Sequence, residues 1–183
     1  MERRRPLKCT NATSRRFILI RMATSTDADL VLKLYDLRRE PRMRQAREWV
    51  MTHFNPSSLD EIIALQRDFG SEHNQFWRQV IAYWEMAASF VVRGALDGDL
   101  FLDSTSENLF ILAKFWRFRE DYAAAVGSPL LPNTAALLER FPPARLRFDQ
   151  LVVALAARQQ RAEQLVVARA ARAERQQAQS TKA

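Results

Sequence analysis

Glu85 is the residue whose setting most invites chemistry. It lies within "AYWEMAA", beside two aromatics. An unpaired charge is costly to bury there, and carboxylates in such settings occur at active sites. Two other readings stand beside a functional carboxylate. An arginine from another helix could pair with it, and Arg93, Arg117 and Arg119 are available; or the carboxylate could be partly exposed. Glu85 is therefore the candidate buried carboxylate.

A second group is cationic. "LRREPRMRQAR" sets Arg38, Arg39, Arg42, Arg44 and Arg47 within ten residues, straddling a helix break at Pro41. Converging guanidinium groups could hold phosphate, nucleic acid or an acidic partner. The aromatics expected between the basic residues of a single-strand binder are missing. Pairing with acidic residues of the same chain is the competing reading. This cluster is the candidate binding patch.

The remaining polar residues point away from catalysis. "LDGDLFLD" brings Asp97, Asp99 and Asp103 close together, but Phe101 and Asn108 occupy positions that a calcium loop gives to ligands. Turn and cap chemistry accounts for Asp97 and Asp99. His53 and His73 are twenty residues apart, without the spacing of a zinc helix. Cys9 is alone, which precludes an intramolecular disulfide or a cysteine metal cluster and fits a reducing cytoplasm. No Gly-rich phosphate loop, nucleophile elbow or dinucleotide fingerprint occurs. No catalytic residue, cofactor or metal is expected.

These residues need helices to position them. The chain has 183 residues, 48% apolar, with four Gly, and no stretch alternates in the manner of a strand. Thr26 and Asp29 form a capping box for a helix over 27–39. Pro41 starts a second helix to about Phe54, with Met43, Ala46 and Val50 inward. Ser58 and Glu61 cap a third. Residues 72–93 make the most apolar helix, which belongs at the centre of a bundle. Ser106 caps a long helix over 106–126, expected to pack on 72–93 as a central hairpin. Asn133 caps a short helix. The last helix opens at Pro143 or Ala144 and passes Gln177. Gly70, Gly94 and Gly127 follow helical runs, where left-handed caps are expected. Gly98 reads as part of a turn.

The net charge of +7 resides at the ends. Residues 1–21 carry +6, residues 22–149 carry −3 and residues 150–183 carry +4. A high isoelectric point therefore does not describe a basic fold. The basic leader, 1–21, has too short an apolar run for a signal peptide. It reads as a disordered leader or a start-site artefact, with Met22 as a natural chain start. No apolar run is long enough for a transmembrane segment.

"QLVVALAAR" at 150–158 recurs as "QLVVARAAR" at 164–172, two heptads later. Both copies present the same helix face. The first copy is expected on the body and the second as a solvated extension. A self-associating coiled coil and a local duplication without function both fit.

"YWEMAASFVVRGALDGDLFLD", from Tyr83 to Asp103, resembles the bacterial domain-of-unknown-function family forty-seven sixty. An aromatic-Glu pair opens a helix that ends in Arg-Gly and leads into Leu-Asp-x-Asp-Leu; Trp116 and Arg119 follow. "REPRMRQAREWV" is similar to that family's Arg-rich entry helix. The likeness covers about two-thirds of the chain; the leader and the repeated last helix depart from it. The resemblance implies an all-helical cytosolic or membrane-proximal domain, with no established activity, cofactor or catalytic residue. It casts Glu85, Arg93, Asp97 and Trp116 as scaffold.

The expectation is an all-α protein: one irregular helical bundle of six or seven helices over 22–155, a long C-terminal helix, and an extension over 156–183. The leading function is a non-catalytic interaction or regulatory module, cytoplasmic, with a protein partner or self-association through the last helix. The alternative is a phosphate or nucleic-acid binder using the arginine cluster and the basic ends. A third reading is a ligand-binding or enzymatic bundle around Glu85.

Overall fold

The apolar run from Phe76 to Val91 makes the helix Glu72–Val92 the centre of the molecule. A computed structural model describes residues 22–180; the basic leader 1–21, with Cys9, and residues 181–183 lie outside the described residues. In chain order the helices are α1 (Ser25–Arg39), α2 (Pro41–Glu48), α3 (Leu59–Arg67), α4 (Glu72–Val92), α5 (Gly98–Ser104), α6 (Glu107–Phe115), α7 (Arg119–Val126), α8 (Pro132–Arg140) and α9 (Pro142–Ser180). A π-helical turn, Trp49–His53, extends α2, and a 3₁₀ turn, Trp116–Phe118, joins α6 to α7. The protein is all-α, with no strand among the described residues.

α4 buries Phe76, Trp77, Val80, Trp84, Ala87, Ala88 and Val91. Apolar groups on most of its circumference require neighbours on most sides. α2 and α8 are its closest partners, with α3 and α5 also against it. α8 runs parallel to α4. Its first turn meets Glu85, and its last residue, Arg140, donates to the Val92 carbonyl.

The expected hairpin is present in a looser form. α4 and α6 run antiparallel: the rings of Trp77 and Phe115 are 5.1 Å apart, and Trp84 Nε1 donates to Glu107 at 3.2 Å. These bulky side chains hold the two axes apart. The closest neighbours of α6 are therefore α9 and α8, not α4.

Three local expectations are corrected. α1 is capped by Thr24 and Asp27, not by Thr26 and Asp29. Asp27 is only 1% exposed, and its Oδ1 also accepts the Asp97 amide at 3.0 Å. That contact between α1 and α5 selects one of two capping frames available in "TSTDAD". "GDLFLDS" is a short helix, not a turn, with Asp97 as its cap accepting from the Leu100 amide at 2.9 Å. Gly98 lies under the Phe141 ring, and a Cβ there would come within 2.1 Å of Phe141 Cζ. Residues 106–126 do not form one helix. No Gly or Pro marks the break at Trp116–Phe118. The 3₁₀ turn sets Trp116 edge-on against Phe148 of α9, with centroids 4.9 Å apart, and buries Phe118.

Candidate functional site

The polar centre of the molecule lies where α2, α4 and α6 meet. The start of α6 aims Glu107 at α2, while Arg47 reaches toward it from the last turn of α2. Arg47 Nε donates to Glu107 Oε1 at 2.6 Å, and Nη2 donates to Oε2, making a two-pronged pair. Trp84 Nε1 adds a third hydrogen bond to Glu107. The two charged side chains are 22% and 9% exposed, so the pair is largely withdrawn from water. The hydrogen bonds to Glu107 push the Arg47 pKa up against the desolvation that opposes it. Arg47 Nη1 also donates to the Arg38 carbonyl at 3.3 Å, closing the end of α1.

Around this pair opens a cleft of about 510 Å³ between α1, α5, α6 and α9. Arg38 lines it and donates to Thr105 Oγ1 at 3.4 Å. Arg147 comes in from α9 and donates to the Leu102 carbonyl at 2.6 Å. Ser106, the N-cap residue of α6, makes no side-chain cap bond and is exposed. A smaller hollow of about 40 Å³ adjoins it between Tyr35, Tyr83 and Phe101. Tyr83 donates to the Leu34 carbonyl at 2.5 Å, and burial pushes its phenol up to about 12.

The arginine cluster is thus divided. Arg38 and Arg47 meet at the cleft. Arg42 pairs with Glu72 at 2.7 Å and lies over Phe76. Arg38 and Arg39 both lie over the Tyr35 ring, 4.8 and 5.4 Å from its centroid. Arg44 is exposed on α2.

Glu85 is half-buried and forms no ion pair with an arginine among the described residues. Its Oε2 accepts from the Asn133 amide at 2.8 Å and Asn133 Nδ2 at 3.0 Å; its Oε1 accepts from the Thr134 amide at 2.9 Å. Glu85 thereby caps α8 from another helix. The first turn of a helix presents unpaired N–H groups and partial positive charge, which suit a carboxylate. Asn133 is not the cap residue; Leu131 is, at φ 52°, and it has no oxygen in its side chain to offer. The carboxylate supplies what the local sequence lacks.

His53 ends the π-helical turn and His73 lies in the first turn of α4, both exposed. His73 stacks on Trp49 at 4.4 Å, so its role there is packing. Asp99 sits in the first turn of α5, and exposed Asp103 borders the cleft. No cluster of three metal-ligating side chains occurs among the described residues.

Sequence reasoning missed Glu107, Arg147 and Lys114. The first hides behind Ser106, whose type draws attention as a cap. Lys114 Nζ donates to the carbonyls of Val50 and Met51 at 2.7 and 3.0 Å, satisfying groups that the π-helical turn displaces. Burial, with a smaller contribution from the Arg158 charge, pushes Lys114 down to about 8 from its ordinary 10.5. Between those values the unfolded chain binds more protons than the folded one, so stability should rise with pH from about 8 to about 10. Urea midpoints across this window test it. Lys114→Met should flatten the rise, and an unaltered slope would remove Lys114 as its source.

Fold and polar contacts together define a helical domain whose charged side chains serve mainly to tie helix ends to one another. The chain belongs to the family described as Domain of unknown function (DUF4760), whose sequence model matches residues 23–141. No curated protein and no solved structure matches the chain. No helix among the described residues is long and apolar enough to cross a membrane.

Proposed function

We propose that the chain is a non-catalytic helical interaction module that pairs with a second copy of itself through the distal half of α9. One observation carries this reading. The first copy of the repeat packs Leu151, Val152 and Leu155 against the core, while the second leaves Leu165 60% and Val166 66% exposed. Equivalent positions two heptads apart share a helix face, so α9 continues beyond its intramolecular seat with the same stripe turned to solvent. α9 has 39 residues, a rod of about 58 Å at the usual rise. It begins where the family match ends.

A stripe in heptad phase is self-complementary, and a two-fold pair buries the same residues from both chains. A second copy is therefore the occupant we assign. In this reading the module works in the cytoplasm, in keeping with a single cysteine in 183 residues.

Sedimentation equilibrium of the full chain tests it. The average mass should rise with concentration toward that of a dimer. Leu165→Glu combined with Val166→Glu should hold the mass at the monomer value and keep the melting temperature that the wild type has at low concentration, because both side chains are exposed in the single chain. A wild-type mass that stays monomeric at all concentrations would remove self-association.

A further inference from the structure

We propose that the cleft between α1, α5, α6 and α9 is a binding site for a small phosphate monoester, gripped by Arg38 and Arg147. The proposal is independent of pairing through α9.

Five of the cleft's lining residues are formally charged: Arg38, Arg47, Arg147, Asp103 and Glu107. Arg47 and Glu107 cancel each other in their two-pronged pair. Arg38 and Arg147 are half-buried, and neither is ion-paired among the described residues. Each spends one Nη1 on a neutral acceptor, the Thr105 hydroxyl or the Leu102 carbonyl. A guanidinium carries five donors in a fixed fork, so both retain donors for an anion. Partly withdrawn cations without a counter-charge favour an anion more than solvated surface arginines do.

The remaining lining suits phosphate oxygens. Thr105 and Ser106 bring hydroxyls to the cleft, and Ser106 makes no cap bond within the protein. It stands at the start of α6, a nine-residue helix whose N-terminal dipole adds to the attraction. Asp103 is exposed at the cleft and works against the most highly charged ligands, which favours one phosphate over several.

Size and charge pattern argue for a small ligand over a polymer. The cleft is of the volume that small-molecule sites occupy. The adjoining 40 Å³ hollow is too small for an aromatic ring, so the organic part of the ligand lies in the open cleft. A nucleic-acid strand would need basic residues strung along a track. Here Arg42 is turned to Glu72 instead, and Arg44 stands apart on the exposed face of α2.

Calorimetric titration of the full chain at low salt, with glycerol phosphate and with inorganic phosphate, tests the site. Saturable binding of one equivalent is expected, tighter for glycerol phosphate. Arg38→Gln and Arg147→Gln should each weaken it by about tenfold, and Arg44→Gln should leave it unchanged. Ser106→Asp is the variant that guards against misfolding. An acidic N-cap should keep or raise the melting temperature, while its charge removes phosphate binding. Absence of saturable heat with either probe would overturn the proposal. An equal loss from Arg44→Gln would also do so, as would unchanged binding in Ser106→Asp. A single-stranded oligonucleotide without terminal phosphate that binds more tightly than glycerol phosphate would replace this site with a nucleic-acid surface.

Discussion

Replacing Glu107 by Ala should destabilise the fold by about 3–5 kcal/mol, the cost of leaving a largely buried charge without its partner. Three donors lose their acceptor at once: Nε and Nη2 of Arg47, and Nε1 of Trp84. Trp84 is 1% exposed, so water does not readily replace the carboxylate at the indole. The guanidinium is 22% exposed and regains part of its solvation, which favours the lower end of the range. A second variant separates pairing from packing. Arg47→Met together with Glu107→Leu should recover part of the loss, because it removes the unpaired charge but leaves Trp84 Nε1 without its acceptor. Urea denaturation with its slope recorded reads both. A loss of about 1 kcal/mol or less in Glu107→Ala would mark the pair as an ordinary solvated surface bridge.

Glu85→Ala should cost about 2–3 kcal/mol, through the start of α8. The carboxylate accepts two backbone amides and one side-chain amide there. Hydrogen bonds to a charged group contribute more than neutral ones, and a helix cap alone contributes about 1 kcal/mol. Leu131 adds sensitivity. It holds φ 52°, a left-handed conformation that a non-glycine residue adopts only when its surroundings impose it. Glu85→Gln should lose about half as much, since its amide oxygen still accepts while its NH₂ faces other donors. Amide exchange localises the effect: Asn133 and Thr134 should lose protection in Glu85→Ala well before residues in α2 do. If those amides kept their wild-type protection, the cross-helix cap would be refuted.

Much of the helical framework was legible because helix ends and apolar periods are local. Ser58 caps its helix through a side chain that accepts from an amide three residues on. Gly94 and Gly127 take φ 73° and 76°, the left-handed values expected after a helical run. The apolar run in α4 announced a central helix, and the structure surrounds it. Glu85 was singled out by its aromatic neighbours, but neither its half-buried setting nor its partners could be read from them. Backbone amides 48 residues away carry no signal in the side-chain alphabet, whereas an arginine does. The arginine cluster could be read only as a density of charge. Its partners, Glu72 and Glu107, lie in helices 30 and 60 residues further on.

By itself the amino-acid sequence determined that this chain is all-α, where most helices begin and end, and that its last helix repeats one face in heptad phase. Those properties depend on neighbours a few residues apart. Tertiary structure alone decided which of two acidic residues caps α1, why residues 106–126 bend at a 3₁₀ turn, and which arginines turn toward a common cleft. In each case the local sequence allows more than one arrangement. The selecting contact comes from a distant helix: Asp97 against Asp27, Phe148 against Trp116, Glu107 against Arg47. The repeat shows the same division. Leu155 reaches the core, and its counterpart Arg169 is exposed. Burying a guanidinium in that apolar seat would cost more than burying a leucine gains. That difference is consistent with which copy docks on the body.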